Sequence, residues 1–82
     1  MNKQKLLLQI HNNHKNVRFG DFVLLIQSFG FKLLRISGSH HIFEHKNINE
    51  IINIQNVNGK AKPYQIKQFM ALIEKYCLTL EA

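Results

Sequence analysis

The chain has 82 residues, 45% of them apolar, with 11 lysines and arginines against 5 acidic residues and a formal charge of +6. That length sets one domain, 1–82, with a thin core, and the apolar content excludes a disordered chain. The basic excess points to an anionic partner such as nucleic acid or an acidic protein. A lone cysteine, Cys77, excludes an intramolecular disulfide and a cysteine-based zinc site.

In chain order, Asn2 to Ile10 is expected to form a short helix with Leu6, Leu7 and Ile10 on one side. The run Leu6-Leu7-Leu8 is too short for a signal segment or a membrane span, so the expectation is a cytoplasmic protein without membrane association. Residues His11 to Asn16 read as a polar loop, since asparagine side chains compete for local backbone hydrogen bonds. Gly20-Asp21 opens a stronger helix, with aspartate at the positive end of the helix dipole. Phe22, Leu25, Ile26 and Phe29 follow at helical spacing, and Gly30 stands where a left-handed terminating residue is wanted.

Phe31 to Ser37 reads as a strand, Gly38-Ser39 as a tight turn, and His40 to His45 as a second strand, making a hairpin. A polar loop around Asn47–Asn49 leads to a third short strand, Ile51 to Gln55. Asn58-Gly59 breaks the chain. Pro63 then opens a last helix, where its missing N–H costs nothing. Ile66, Phe69, Met70, Ile73, Tyr76, Cys77 and Leu80 form its apolar, core-facing side, while Gln65, Lys67 and Gln68 take the polar side. The expected fold is α+β in two layers. A three-stranded antiparallel sheet is packed by helices on one face, with an extra N-terminal helix, and its other face is open for a ligand.

Five histidines stand out. His11 and His14 fall in the polar loop and are expected to be solvated. His40, His41 and His45 crowd one hairpin. On a strand His41 and His45 share a face but lie about 13 Å apart along it, too far to share one metal ion, and His40 points the other way. No carboxylate or thiolate set has ligand spacing, so neither a metal nor a cofactor is expected. Imidazole is, however, suited to both taking and giving a proton near neutral pH. RNA supplies its own nucleophile, the 2′-OH, so one histidine with cations to hold the phosphate is a sufficient site. His40 or His41, the Ser39 hydroxyl and the lysines Lys60, Lys62 and Lys67 offer that set, and Gly38 lets a backbone come close. The plainer reading of the same residues is a turn and a polar strand. Lys60-Ala61-Lys62-Pro63 at a helix start suits phosphate, or is simply a solvated basic loop.

Over Arg35-Ile36-Ser37-Gly38-Ser39-His40-His41-Ile42-Phe43 the chain resembles the HicA family of toxins. The matching elements are Phe29-Gly30-Phe31, Gly38-Ser39-His40 and Phe43, and the resemblance extends over roughly Phe22 to Leu78. It implies a HicA-like core at 17–80 after an N-terminal extension at 1–16, with a fold like a double-stranded-RNA-binding domain. It further implies the toxin of a type II toxin–antitoxin system: an endoribonuclease that needs no metal, cleaves messenger RNA and is neutralised by a HicB-type antitoxin. The family's functional histidine carries over to His40, with His41 as the alternative because the doublet leaves the register open. If Phe43 points into the core, His41 shares that face and His40 is left on the open one. Gly38, Ser39, Lys60, Lys62 and Lys67 then become the RNA- and phosphate-binding residues.

The chain departs from the family pattern in three places. Ile54-Gln55-Asn56-Val57 stands where the family has Pro-x-His, Gly59 to Gln65 is unlike ordinary members, and Met1 to Asn16 is extra. The alternative on the same fold is a non-catalytic RNA-binding or protein-interaction module.

Overall fold

A computed structural model describes residues 2–81. Its elements are α1 (Lys3–Asn12), α2 (Phe19–Ser28), β1 (Lys32–Ser37), β2 (His40–Glu44), β3 (Ile52–Gln55) and α3 (Pro63–Tyr76). The strands form one antiparallel sheet in the order β1-β2-β3. This is the expected α+β fold, three helices with an open three-stranded sheet, consistent with a double-stranded-RNA-binding-domain-like architecture.

Local chemistry sets most boundaries. The Asn2 side chain caps α1, accepting from the backbone N–H of Gln4 at 2.8 Å and of Lys5 at 3.3 Å. Helix α1 runs two residues past the expected Ile10, absorbing His11 and Asn12. Leu6 and Ile10 are buried and hold that stretch helical, and His11 in the last turn sits at the negative end of the helix dipole. In α2, Phe22, Leu25 and Ile26 are fully buried. Gly30 ends that segment at φ +92°, where a Cβ would collide with the Glu81 carboxylate and crowd His45.

The core gathers around Phe69 of α3. Rings of Phe22, Phe29 and Phe31 meet it edge-on, with centroids 5.7, 5.7 and 5.8 Å away, the arrangement their quadrupoles favour. Phe43 of β2 and Ile54 of β3 enter the same core from the sheet, and Ile66 enters from α3. Helices therefore cover one sheet face, chiefly over β2 and β3. Edge strand β1 is exposed along its whole length, Leu33, Leu34 and Ile36 included.

Three expectations are corrected here. Helix α3 does not carry its apolar face on to Leu80. It stops at Tyr76, and Cys77 adopts a left-handed conformation at φ 52° and is exposed rather than packed in the core. Cys77 N–H bonds to Glu74 O and Leu78 N–H to Ile73 O, the paired bonds that end a helix and turn the chain. The following segment returns over α2, where Glu81 N–H donates to Ser28 O at 2.8 Å and Lys3 Nζ donates to Glu81 O at 3.0 Å. Leu78 and Leu80 pack against the core from outside the helix, so the apolar spacing persists although the helix does not.

The second correction concerns Gln65, which is buried rather than on a polar helix side. Its Oε1 accepts from Gln55 N–H at 2.9 Å and its Nε2 donates to Asn53 O at 3.4 Å. Those two backbone groups lie on the outer edge of β3, so the carboxamide takes the place of a further strand there. The third concerns His45, which lies just past β2 and is buried. Its Nε2 donates to Phe29 O at 3.0 Å, its Nδ1 accepts from Asn47 N–H at 3.1 Å, and its ring meets Phe31 edge-on at 4.8 Å. His45 is thus a fastener between β2 and the end of α2.

An exposed ion pair, Lys75 Nζ to Glu50 Oε2 at 3.5 Å, joins the loop before β3 to α3. The Tyr76 hydroxyl and the Lys75 ammonium hold the Glu50 carboxyl below its ordinary value, so what this pair contributes is lost as pH falls through that lowered value.

Gln65→Ala should lower stability by about 1–3 kcal/mol, because it strands a donor and an acceptor on β3. Urea unfolding should show this as a reduced midpoint at unchanged slope. A loss below about 0.5 kcal/mol would mean that water satisfies this edge instead.

Candidate functional site

Strand β2 is the middle strand, so the alternation of its side chains is fixed from both sides. Phe43, fully buried, pairs with Leu33 and Ile52; His41 pairs with Ile36 and Ile54. These residues share the helix-covered face. His40 pairs with Ser37 and Gln55, and Ile42 pairs with Arg35 and Asn53. These occupy the face turned away from the helices, on which Ile42 is nonetheless buried and His40 half-buried.

The two adjacent histidines thus meet different surroundings. His41 packs edge-on against Phe19 at 4.7 Å, and its Nδ1 is buried without a hydrogen-bond partner. His40 is half-buried, and its Nδ1 lies 3.0 Å from Asn53 Oδ1. The sequence argument from Phe43 to His40 therefore holds geometrically. Gly38 makes the turn at φ 59°, with open space where a Cβ would stand. Ser39 O accepts from Asn56 N–H at 2.9 Å, which ties this turn to the chain leaving β3.

That chain brings in one of the expected lysines. Val57 and Lys60 form a miniature hairpin across Asn58-Gly59, whose φ angles are both positive. On its other side Lys60 pairs with Arg18, held by Phe19 N–H to Gly59 O and Ala61 N–H to Val17 O, each 2.9 Å. Two cations, Arg18 and Lys60, become antiparallel neighbours on the small hairpin that follows Asn56. Lys62 stands at the N-cap of α3 with its Nζ 5.6 Å from the Tyr64 ring centroid. Lys67 is exposed farther along α3, and no hydrogen bond links it to the turn. The expected set is thus brought together in part, with Ser39, His40 and Lys60 close through the backbone and Lys67 apart.

Sequence reasoning passed over Arg18, Arg35 and Asn53. The hairpin register would have flagged Arg35, since Ser37 stands opposite His40 and Arg35 lies two residues back on the same face. Arg18 and Asn53 had no local signal, because their roles come from pairings across more than a dozen residues. Of the other histidines, His11 is exposed and His14 is half-buried. No group of three His, Cys, Asp or Glu side chains that could hold a metal ion occurs among the described residues. A wide apolar groove lined by Leu7, Leu8, Met70, Ile73, Leu78 and Leu80 includes none of the expected site residues. No helix among the described residues is long and apolar enough to cross a membrane.

The family model for the HicA toxin of bacterial toxin–antitoxin systems covers residues 19–74, more than half of the chain. It begins three residues before the resemblance read from the sequence and ends four before it. No curated protein and no solved structure matches the chain.

The opposite surroundings of the doublet predict opposite stability effects. His40→Ala should change stability by no more than about 0.5 kcal/mol, as an open-face substitution. His41→Asp, which puts a carboxylate where Nδ1 is buried unpaired, should cost at least about 2 kcal/mol. His41→Leu, which removes the unpaired nitrogen, should stay within about 1 kcal/mol. Thermal melts of the three variants would check this, and a costly His40→Ala would contradict the assignment of faces.

Proposed function

The chain belongs to the HicA toxin family of bacterial toxin–antitoxin systems, and we propose that it is a metal-independent endoribonuclease that cleaves messenger RNA with His40 as its acid–base group. The observation that carries this reading is the position of His40, which stands on the uncovered sheet face with one ring nitrogen engaged by Asn53. The supporting cations are Arg35 on the same face and the Arg18–Lys60 pair beside the turn.

The chemistry needs no ion. His40 Nε2 takes the proton of a ribose 2′-OH, and the oxygen attacks the adjacent phosphorus. The P–O5′ bond breaks, and the leaving oxygen takes a proton from the imidazolium or from water. The products end in a 2′,3′-cyclic phosphate and a 5′-hydroxyl. Cations and the backbone near Gly38 and Ser39 offset the charge that builds on the phosphoryl oxygens. Lys62 and Lys67 extend the basic surface along α3 for the flanking strand. A toxin of this family implies an antitoxin partner; here we propose a HicB-type protein acting in the cytoplasm, where messenger RNA is found.

A non-catalytic RNA-binding module is the second reading. It is favoured by Ile54-Gln55-Asn56-Val57, which place no further proton-transferring side chain at the end of β3.

Purified protein should cut RNA in excess EDTA, and His40→Ala should lower the rate by at least about 100-fold. Full cleavage by that variant would remove His40 from the mechanism. Replacing Lys60 and Lys62 together by Ala should weaken RNA binding at all sequences and reduce the slope of log affinity against log salt by about 1–2. Salt-dependent binding without any cleavage would favour the second reading.

A further inference from the structure

We infer that Asn53 is a positioning residue for His40: its amide oxygen fixes the imidazole with the proton on Nδ1 and leaves Nε2 bare as the proton acceptor. The inference rests on the reading of the open sheet face as an RNA-cleaving site.

The register creates the contact. His40 pairs with Gln55 and Ile42 with Asn53, so Asn53 is the diagonal neighbour of His40 across β2 and β3, on the same face. The separation of His40 Nδ1 from Asn53 Oδ1 is 3.0 Å. An amide oxygen has no proton to give, so Nδ1 must supply it. A neutral imidazole carries one such proton, which leaves the lone pair on Nε2. Without this bond either tautomer could form, and the ring could turn over about its Cβ–Cγ bond, which would put Cδ2 where Nδ1 stands and Cε1 where Nε2 stands.

The fold makes no other use of this side chain. Asparagine is disfavoured in strands, yet Asn53 lies between Ile52 and Ile54, both buried, with its own side chain exposed. Its backbone carbonyl serves Gln65, while its side chain bonds to His40 alone among the described residues. The choice of an amide also fits the chemistry. A carboxylate there would orient the ring equally well but would add negative charge where a phosphate must approach. The charged groups on this face are Lys32 and Arg35 from β1 and Glu44 from β2, with Glu44 paired to Lys32; β3 contributes none.

The test uses the full chain, labelled with ¹⁵N, and RNA as substrate. Long-range proton–nitrogen correlation should show His40 with its proton on Nδ1. In Asn53→Ala it should become a mixture with the Nε2–H form, at an unchanged unfolding midpoint. That variant should lose about tenfold in kcat while KM changes less than twofold. Asn53→Asp should keep the Nδ1–H form and move the acid limb of the pH–rate profile upward, because its carboxylate favours the imidazolium. His40 carrying its proton on Nε2 in the unaltered protein would overturn the inference, and so would Asn53→Ala with unchanged tautomer and kcat. If His40→Ala cuts RNA normally, the assignment of His40 as the acid–base group fails by itself, and the ring's tautomer then decides whether Asn53 orients it.

Discussion

Burial of Phe43 is the constraint on which the rest depends. A strand's side chains alternate without exception over a regular stretch, and β2 is held on both sides by neighbours. Once Phe43 is in the core, His41 must face the helices and His40 must face away. A slip of one residue would bury His40 and expose Phe43 together. The hydrophobic gain from one full aromatic side chain, about 1.5–3 kcal/mol, therefore sets the orientation of a polar group three residues away. This is why a short strand in a small domain can present a histidine reproducibly.

The helix layer completes that arrangement by what it leaves uncovered. Three aromatic rings converge on Phe69 and draw α2, α3 and the start of β1 onto one side of the sheet. Gln65 closes the outer edge of β3 with side-chain hydrogen bonds, and among the described residues no element does the same for β1. The open face and the open edge are thus adjacent, and the cations Lys32 and Arg35 belong to the strand that forms both. A net charge of +6 on a domain this size makes such a surface attractive to polyanions even with Leu33, Leu34 and Ile36 exposed on it.

Much of this was legible in the residues, and the failures share a cause. Helical spacing found α2, Pro63 found the start of α3, and Gly30 found the left-handed turn, because each signal is local. Parity from Phe43 separated His40 from His41. What escaped were interactions whose two ends lie far apart in sequence. Gln65 looked polar and therefore exposed, but the unpaired backbone of β3 draws it inward. His45 looked like a third member of the hairpin cluster, but Phe29 O and Asn47 N–H hold it elsewhere. Cys77 continued an apolar spacing that neither the helix nor the burial follows, because the chain turns at this left-handed residue and leaves it exposed. Arg18 met Lys60 only because a hairpin at Asn58-Gly59 turned the chain back.

The histidine doublet shows how the same side chain takes on separate tasks. Two adjacent imidazoles do not form a shared acid–base pair here, because the sheet lies between them. His41 spends its ring on packing against Phe19 and carries the cost of an unpaired buried nitrogen. His40 spends one nitrogen on Asn53 and has the other to offer. Metal-free cleavage of RNA asks little more of a protein than that: one oriented nitrogen, cations for the phosphate and a surface that admits the strand. The 2′-OH brings the nucleophile and the substrate brings the leaving group, so the protein's contribution is orientation and charge. A three-stranded sheet with one bare face meets both requirements without a deep pocket. That is why the wide apolar groove beside α1 and α3 lies apart from the residues this chemistry would use.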